Sequence, residues 1–142
     1  MISLTKSAAR YVSKLSNKLR RKIDMFSSRK EFSGSQGRTL HFLLAQTEDV
    51  FQKDIEEEYS IRPSTATELL KQMEANELIR REPVAYDNRL KKIVVTDKAL
   101  MYKQQVVEDL TSLEETLTKG ISKEDMKIFF EVIEKMMDNL SE

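Results

Sequence analysis

The sequence predicts a mainly α chain with a small β-hairpin. Three observations lead there. Gly and Pro are scarce, at 3 and 2 in 142 residues, so few positions interrupt a helix. Apolar residues recur at three- and four-residue spacing along most of the chain. Residues 78–95 break that period: Leu78-Ile79-Arg80-Arg81 and Ile93-Val94-Val95 read as two short strands around a charged tip containing Pro83.

Taken in order, Leu4, Ala8, Tyr11 or Val12, Leu15 and Leu19 form one helical stripe that runs on to Ile23 and Phe26. The first 23 residues contain no acid, a feature shared with organelle transit peptides. The continuing apolar stripe favours an ordinary amphipathic helix instead. Residues 27–37, SSRKEFSGSQG, read as a loop. A helix over 36–47 should bury Leu40, Leu43 and Leu44. Asp49 with Gln52 three residues on suggests a capped start for the next helix, with Phe51, Ile55 and Tyr59 inward.

Ser60-Ile61-Arg62-Pro63 is a turn, with Pro63 opening a helix over 63–76 that buries Ala66, Leu69, Leu70 and Met73. Asn76 is the expected left-handed closing residue. After the hairpin, Thr96-Asp97 starts one long helix to Lys119, striped by Leu100, Val107, Leu110, Leu113 and Leu117 and stopped by Gly120. Ser122 and Asp125 then cap a last helix, with Ile121 and Met126 placed as a staple. Its stripe is Met126, Phe129, Phe130, Ile133, Met136 or Met137, and Leu140.

Composition excludes several chemistries. No Cys means no disulfide, no thiolate metal site and no thiol sensor, and a single His argues against a His-based triad or metal cluster. No apolar stretch is long enough to span a membrane, and no Gly-rich phosphate loop is present. An enzyme, a cofactor and a metal are therefore not expected, and paired acids such as Glu114-Glu115 read as solvated helix face. Net charge is zero but uneven. Residues 1–40 carry ten Lys/Arg against two acids, while residues 101–142 carry five against ten.

Helix, turn, helix and hairpin in that order make a winged helix-turn-helix over residues 36–96. Residues 1–35 and 97–142 flank it as helices too apolar to stay wet, and they are expected to pair two copies as a homodimer. The second helix can enter a major groove of double-stranded DNA. Its candidate contacts are Arg62, Ser64, Thr65, Thr67, Glu68 and Lys71. At the wing they are Arg81, Asp87, Asn88, Arg89, Lys91 and Lys92, with Asp87 placed to hold the Arg89 guanidinium extended towards a minor groove. The plain alternatives are helix caps for the Ser and Thr residues and a solvated edge for the hairpin. A protein-interaction adaptor that kept this fold without binding DNA is the competing function. The acidic back half and Glu56-Glu57-Glu58 speak for it.

Residues 61–100 resemble the MarR family of bacterial winged-helix transcription regulators. The resemblance rests on Ser64-Thr65, Leu78-Ile79, Arg81, the Asp87-x-Arg89 of the wing, and Thr96 opening the next helix. It implies a cytoplasmic dimer joined by its terminal helices, acting as a repressor on a pseudo-palindromic operator. It further implies release by a small aromatic or anionic effector in a cleft, for which Arg10, Tyr11, His41 and Phe42 are candidate lining residues. Three positions depart from the pattern. The family often has Gly where Glu77 stands, Gly near Asp97-Lys98-Ala99, and Ala where Glu56 stands.

Overall fold

The computed structural model describes residues 6–27 and 34–141, with side chains for all of these except Phe26 and Ser27. Among the described residues, seven helices and one hairpin follow in the order α1 (Ala8–Ser27), α2 (Gly34–Ala45), α3 (Gln52–Tyr59), α4 (Pro63–Ala75), β1 (Ile79–Val84), β2 (Asp87–Val95), α5 (Asp97–Leu100), α6 (Lys103–Thr118) and α7 (Lys123–Leu140). The described residues form two compact units, divided between Leu110 and Thr111.

The core of the first unit gathers Leu40 and Leu43 of α2, Ile55 of α3, and Leu70 and Met73 of α4. Leu78, Ile79 and Ile93 at the base of the hairpin join them, with Ala99 and Val106. Along α2, α3 and α4 the spacing of these residues is the one the apolar stripes required. Ile55, Leu70, Met73 and Leu78 are wholly removed from solvent. Ile23 is the buried anchor of α1, and a Cβ at Gly34 would collide with it, so α1 and α2 cross closely only because position 34 has no side chain.

Several starts and stops differ from the sequence reading. Helix α2 begins at Gly34, inside the stretch expected to be loop, of which residues 28–33 fall outside the described residues. Gly and Ser are poor helix formers. Here contact with Ile23 and a hydrogen bond from Asn76 Nδ2 to Gln36 Oε1 (2.8 Å) outweigh that propensity. Leu4, the start of the expected first stripe, also lies outside the described residues.

Helix α3 is capped at Phe51 rather than Asp49: the Phe51 amide donates to Asp54 Oδ2 at 2.8 Å. Val50 is the cause. It is buried, and its carbonyl accepts from the Ile93 amide at 2.7 Å, which holds residue 50 against β2 and delays the helix.

At the end of α4, Asn76 stays right-handed (φ −83°) and Glu77 takes the left-handed position (φ 59°). The Leu78 amide reaches back to Met73 O (2.9 Å) and the Glu77 amide to Glu74 O (2.9 Å). A tether fixes this corner: Thr96 Oγ1 donates to Glu77 O (2.6 Å) and accepts from the Ala99 amide (3.2 Å).

The expected single helix from Asp97 to Lys119 is two helices. At Met101 and Tyr102 the amides bond three residues back, to Lys98 O and Ala99 O, and the α-helical ladder is interrupted. The phase set by Thr96 turns Ala99 and Val106 inward and leaves Leu100 and Val107 partly in solvent. In the second unit, Gly120 (φ 79°) stops α6 and Ser122 Oγ accepts from the Asp125 amide (3.1 Å) to start α7, as the sequence indicated. No residue of α7 is buried. Among the described residues, no helix is long and apolar enough to cross a membrane.

Candidate nucleic-acid interface

The turn between α3 and α4 is short because Ser60 (φ 51°) is left-handed and Arg62 (φ −74°, ψ 154°) is extended. Pro63 then starts α4, where its missing N–H costs nothing. With Ala66, Leu70 and Met73 buried, the helix must turn Arg62, Ser64, Thr65, Glu68 and Lys71 to solvent, and all five are exposed. Thr67 lies differently. It is half-buried, and its Oγ1 accepts from Gln52 Nε2 at 3.0 Å.

The two strands pair antiparallel from Ile79↔Val95 to Pro83↔Lys91, and the ladder closes with Val84↔Asp87. The turn is Ala85-Tyr86, and Asp87 is the first residue of β2 rather than part of a loop. Between the last two pairs, Asn88, Arg89 and Leu90 have no opposite residue, so they bulge from the ladder. Asp87 Oδ1 accepts from the Arg89 amide (2.9 Å) and lies 3.4 Å from Arg89 Nε. This brace holds the Arg89 side chain outward, 93% exposed. Asn88 and Lys91 are exposed as well, while Lys92 is partly covered and lies 3.9 Å from Asp49. Two apolar side chains that sequence reasoning passed over share this tip. They are Tyr86, 75% exposed, and Leu90. No periodic signal marks them, because a bulge breaks the alternation.

Arg81 does not project with the rest of the wing. Its Nη2 donates to Gln52 Oε1 (3.2 Å), and its Nε lies 3.4 Å from Glu74 Oε1 without hydrogen-bond alignment, an ion pair at 25% side-chain exposure. By local spacing Gln52 is only a capping partner. Its position beneath the interface depends on contacts 11 to 29 residues away, which no local pattern encodes.

Of the four candidate effector residues, one is half-buried and three are exposed. Phe42 packs edge-on to Tyr59, ring centroids 6.2 Å apart, and is half-buried. His41, Arg10 and Tyr11 are exposed, with Lys14 over the Tyr11 ring. A separate cleft of about 520 Å³ opens beside α4, lined by Arg38, Thr39, Glu58, Tyr59, Thr65 and Glu68 among others. The Arg38 guanidinium lies 5.8 Å from the centre of the Tyr59 ring, and its buried Nε has no hydrogen-bond partner. Tyr59 donates its hydroxyl to Arg38 O (3.0 Å). Burial pushes its pKa up, and the Thr39 hydrogen bond and Arg38 oppose that shift. Among the described residues no group of three or more acids or His could hold a metal ion.

Residues 31–90, which span α2 to the wing tip, match the model of the MarR family. That segment is similar to the MarR family. Solved MarR-family structures superpose over nearly its full length. The transcription regulator MarR from Oenococcus oeni PSU-1 is 28% identical with a TM-score of 0.83, over 93% of this chain and 99% of that one. A MepR–DNA complex of S. aureus is 25% identical with a TM-score of 0.85, over 94% and 98%. A MarR-family regulator from Listeria monocytogenes complexed with 26mer DNA shares the fold at 16% identity, with a TM-score of 0.84 over 95% and 89%. None of the curated proteins matches. The family and these neighbours are transcription regulators, not enzymes.

Proposed function

We propose that the chain is a homodimeric, sequence-specific DNA-binding repressor acting on a pseudo-palindromic operator. One observation carries the reading: an exposed polar helix face and a projecting, braced arginine stand on consecutive elements of one rigid core. Ser64 and Thr65 are short enough to let α4 sit deep in a major groove, while Arg62 and Lys71 reach phosphates or guanine edges. The free amides of the first turn of α4 suit a phosphate. Arg89, raised clear of the strand ladder, suits the negative potential of a minor groove, with Asn88, Lys91 and Lys92 beside it and Asp87 as its brace. Thr67 and Arg81 act from behind this surface. The S. aureus MepR neighbour, solved on DNA, supports the same use of the fold.

Pairing of two chains is supported by the uncovered apolar residues of α1 (Tyr11, Val12, Leu15) and of α7 (Phe129, Phe130, Val132, Met137). Two copies would set their α4 helices into successive major grooves about 34 Å apart. A chromosomal operator places the protein in the bacterial cytoplasm. For an effector, the cleft beside α4 is a second candidate location besides the four residues named from sequence. It has an aromatic wall, a buried guanidinium edge, and Thr65 and Glu68 of the DNA-reading face in its lining. A small aromatic anion held by Arg38 there would compete with DNA.

The test is selection of bound fragments from genomic DNA at low and high salt, repeated with aromatic acids. A palindromic site whose affinity falls steeply with salt is the expected result. Indifference to every duplex at low salt would falsify the DNA reading and favour the adaptor.

A further inference from the structure

We propose that Gln52 is a positioning residue that locks the reading helix to the wing. Its side chain joins three elements. Nε2 donates to Thr67 Oγ1 (3.0 Å) and lies 3.3 Å from Pro63 O, both on α4, and 3.3 Å from Glu56 Oε2 on its own helix. Oε1 accepts from Arg81 Nη2 (3.2 Å) on β1. Arg81 then returns to α4 through Glu74 at 3.4 Å.

Pro63, Thr67 and Glu74 fall on one face of α4, at offsets of four and seven residues, so the wing strand is clamped to that face near its start and again two turns on. An amide suits the junction. A carboxylate could not donate to Pro63 O, and a lysine could not accept from Arg81. The site is part-buried, where each retained hydrogen bond also spares a polar group from desolvation.

The consequence is geometric. The distance from the exposed face of α4 to Arg89 decides whether major- and minor-groove contacts can be made at once. Small misplacements of a positioned group carry large penalties. Gln52, Thr67 and Arg81 therefore set that reach without touching DNA, so the inference rests on the DNA reading for its function but not for its geometry.

The experiment uses both. Because the chain has no Cys, Lys71→Cys and Asn88→Cys can be spin-labelled cleanly, with excess unlabelled chain to isolate pairs within one chain. Gln52→Leu should broaden the label-to-label distance distribution while the far-ultraviolet helical signal persists. On operator DNA, with unlabelled protein, Arg89→Ala should cost roughly tenfold in affinity in the parent and less than about threefold beside Gln52→Leu, since a loose wing gains little from its arginine. Thr67→Val, which cuts one bond at near-constant volume, should show both effects in weaker form and serves if Gln52→Leu does not fold. An unchanged distance distribution overturns the proposal whatever DNA does, and so does an undiminished Arg89 penalty. If the parent binds no duplex, the DNA reading fails while the distance measurement still decides the clamp.

Discussion

Helices α4 and α7 are both amphipathic, and the structure treats them in opposite ways. Helix α4 hides most of its apolar face within its own chain: Ala66, Leu70 and Met73 have no solvent exposure, and Leu69 is partly buried. Helix α7 buries no residue, although it is the longer and carries Phe129, Phe130, Ile133 and three Met residues. In α4 the interior is spent on holding a polar face still. In α7 the apolar face itself is what remains on offer. A helix whose apolar side is satisfied presents function through its polar side, and one whose apolar side is wet calls for a second chain.

That contrast can be broken at several points. The largest effect is expected from Phe130→Glu. A charge forced into a dimer contact costs about 3–5 kcal/mol when unpaired, and a symmetric interface meets it twice. Sedimentation should show monomers, with operator affinity falling at least a hundredfold. A dimer that survives would show that this face of α7 is not the contact.

Leu70→Ala tests the other helix. A fully buried leucine cut to alanine should cost about 2–5 kcal/mol by urea unfolding. A cost below 1 kcal/mol would mean that α4 is not anchored as described. Arg89→Ala comes next: about 1–3 kcal/mol of operator binding lost, with an unchanged melting temperature because the side chain is exposed. A matching drop in thermal stability would make Arg89 a structural residue.

Smaller still is Glu77→Gly. Left-handed geometry costs a non-glycine residue roughly 1 kcal/mol, so glycine should raise stability by about that or somewhat less. Destabilisation would show that the 3.9 Å approach of Glu77 to Lys98 outweighs the backbone penalty.

Tyr59 gives the finest test. Its folded pKa is raised by burial, so the neutral phenol is the form the fold holds. Its contribution is intact below the ordinary tyrosine value near 10 and is lost as pH climbs through its own higher value. Tyr59→Phe should flatten that alkaline loss while forfeiting about 1 kcal/mol for the bond to Arg38 O. An equally steep alkaline limb in the variant would assign the titration elsewhere.

Much of the frame was legible beforehand because it is written in local terms. The stripes of α3 and α4, the Pro63 start, the Ser122 cap and the Gly120 stop each follow from spacing or from one residue's backbone preference. The Asp87–Arg89 brace was legible too, since both partners lie within three residues. Where the reading slipped, a distant partner was responsible. Ile93 holds Val50 and moves the α3 cap, Ile23 and Asn76 draw Gly34 to Gly37 into helix, and Thr96 passes the left-handed position to Glu77 and sets the phase of α5.

The amino-acid sequence by itself determined the mainly helical class, the course of α3, α4 and α7, where the hairpin lies and which side chains carry charge, because periodicity and backbone preference act over a few residues. Only the tertiary structure decided that Thr67 and Arg81 face inward to Gln52, that Arg38 and Tyr59 wall a cleft beside α4, and that no residue of α7 is buried. Those outcomes depend on groups far apart in the chain competing for the same small volume, and packing alone arbitrates between them.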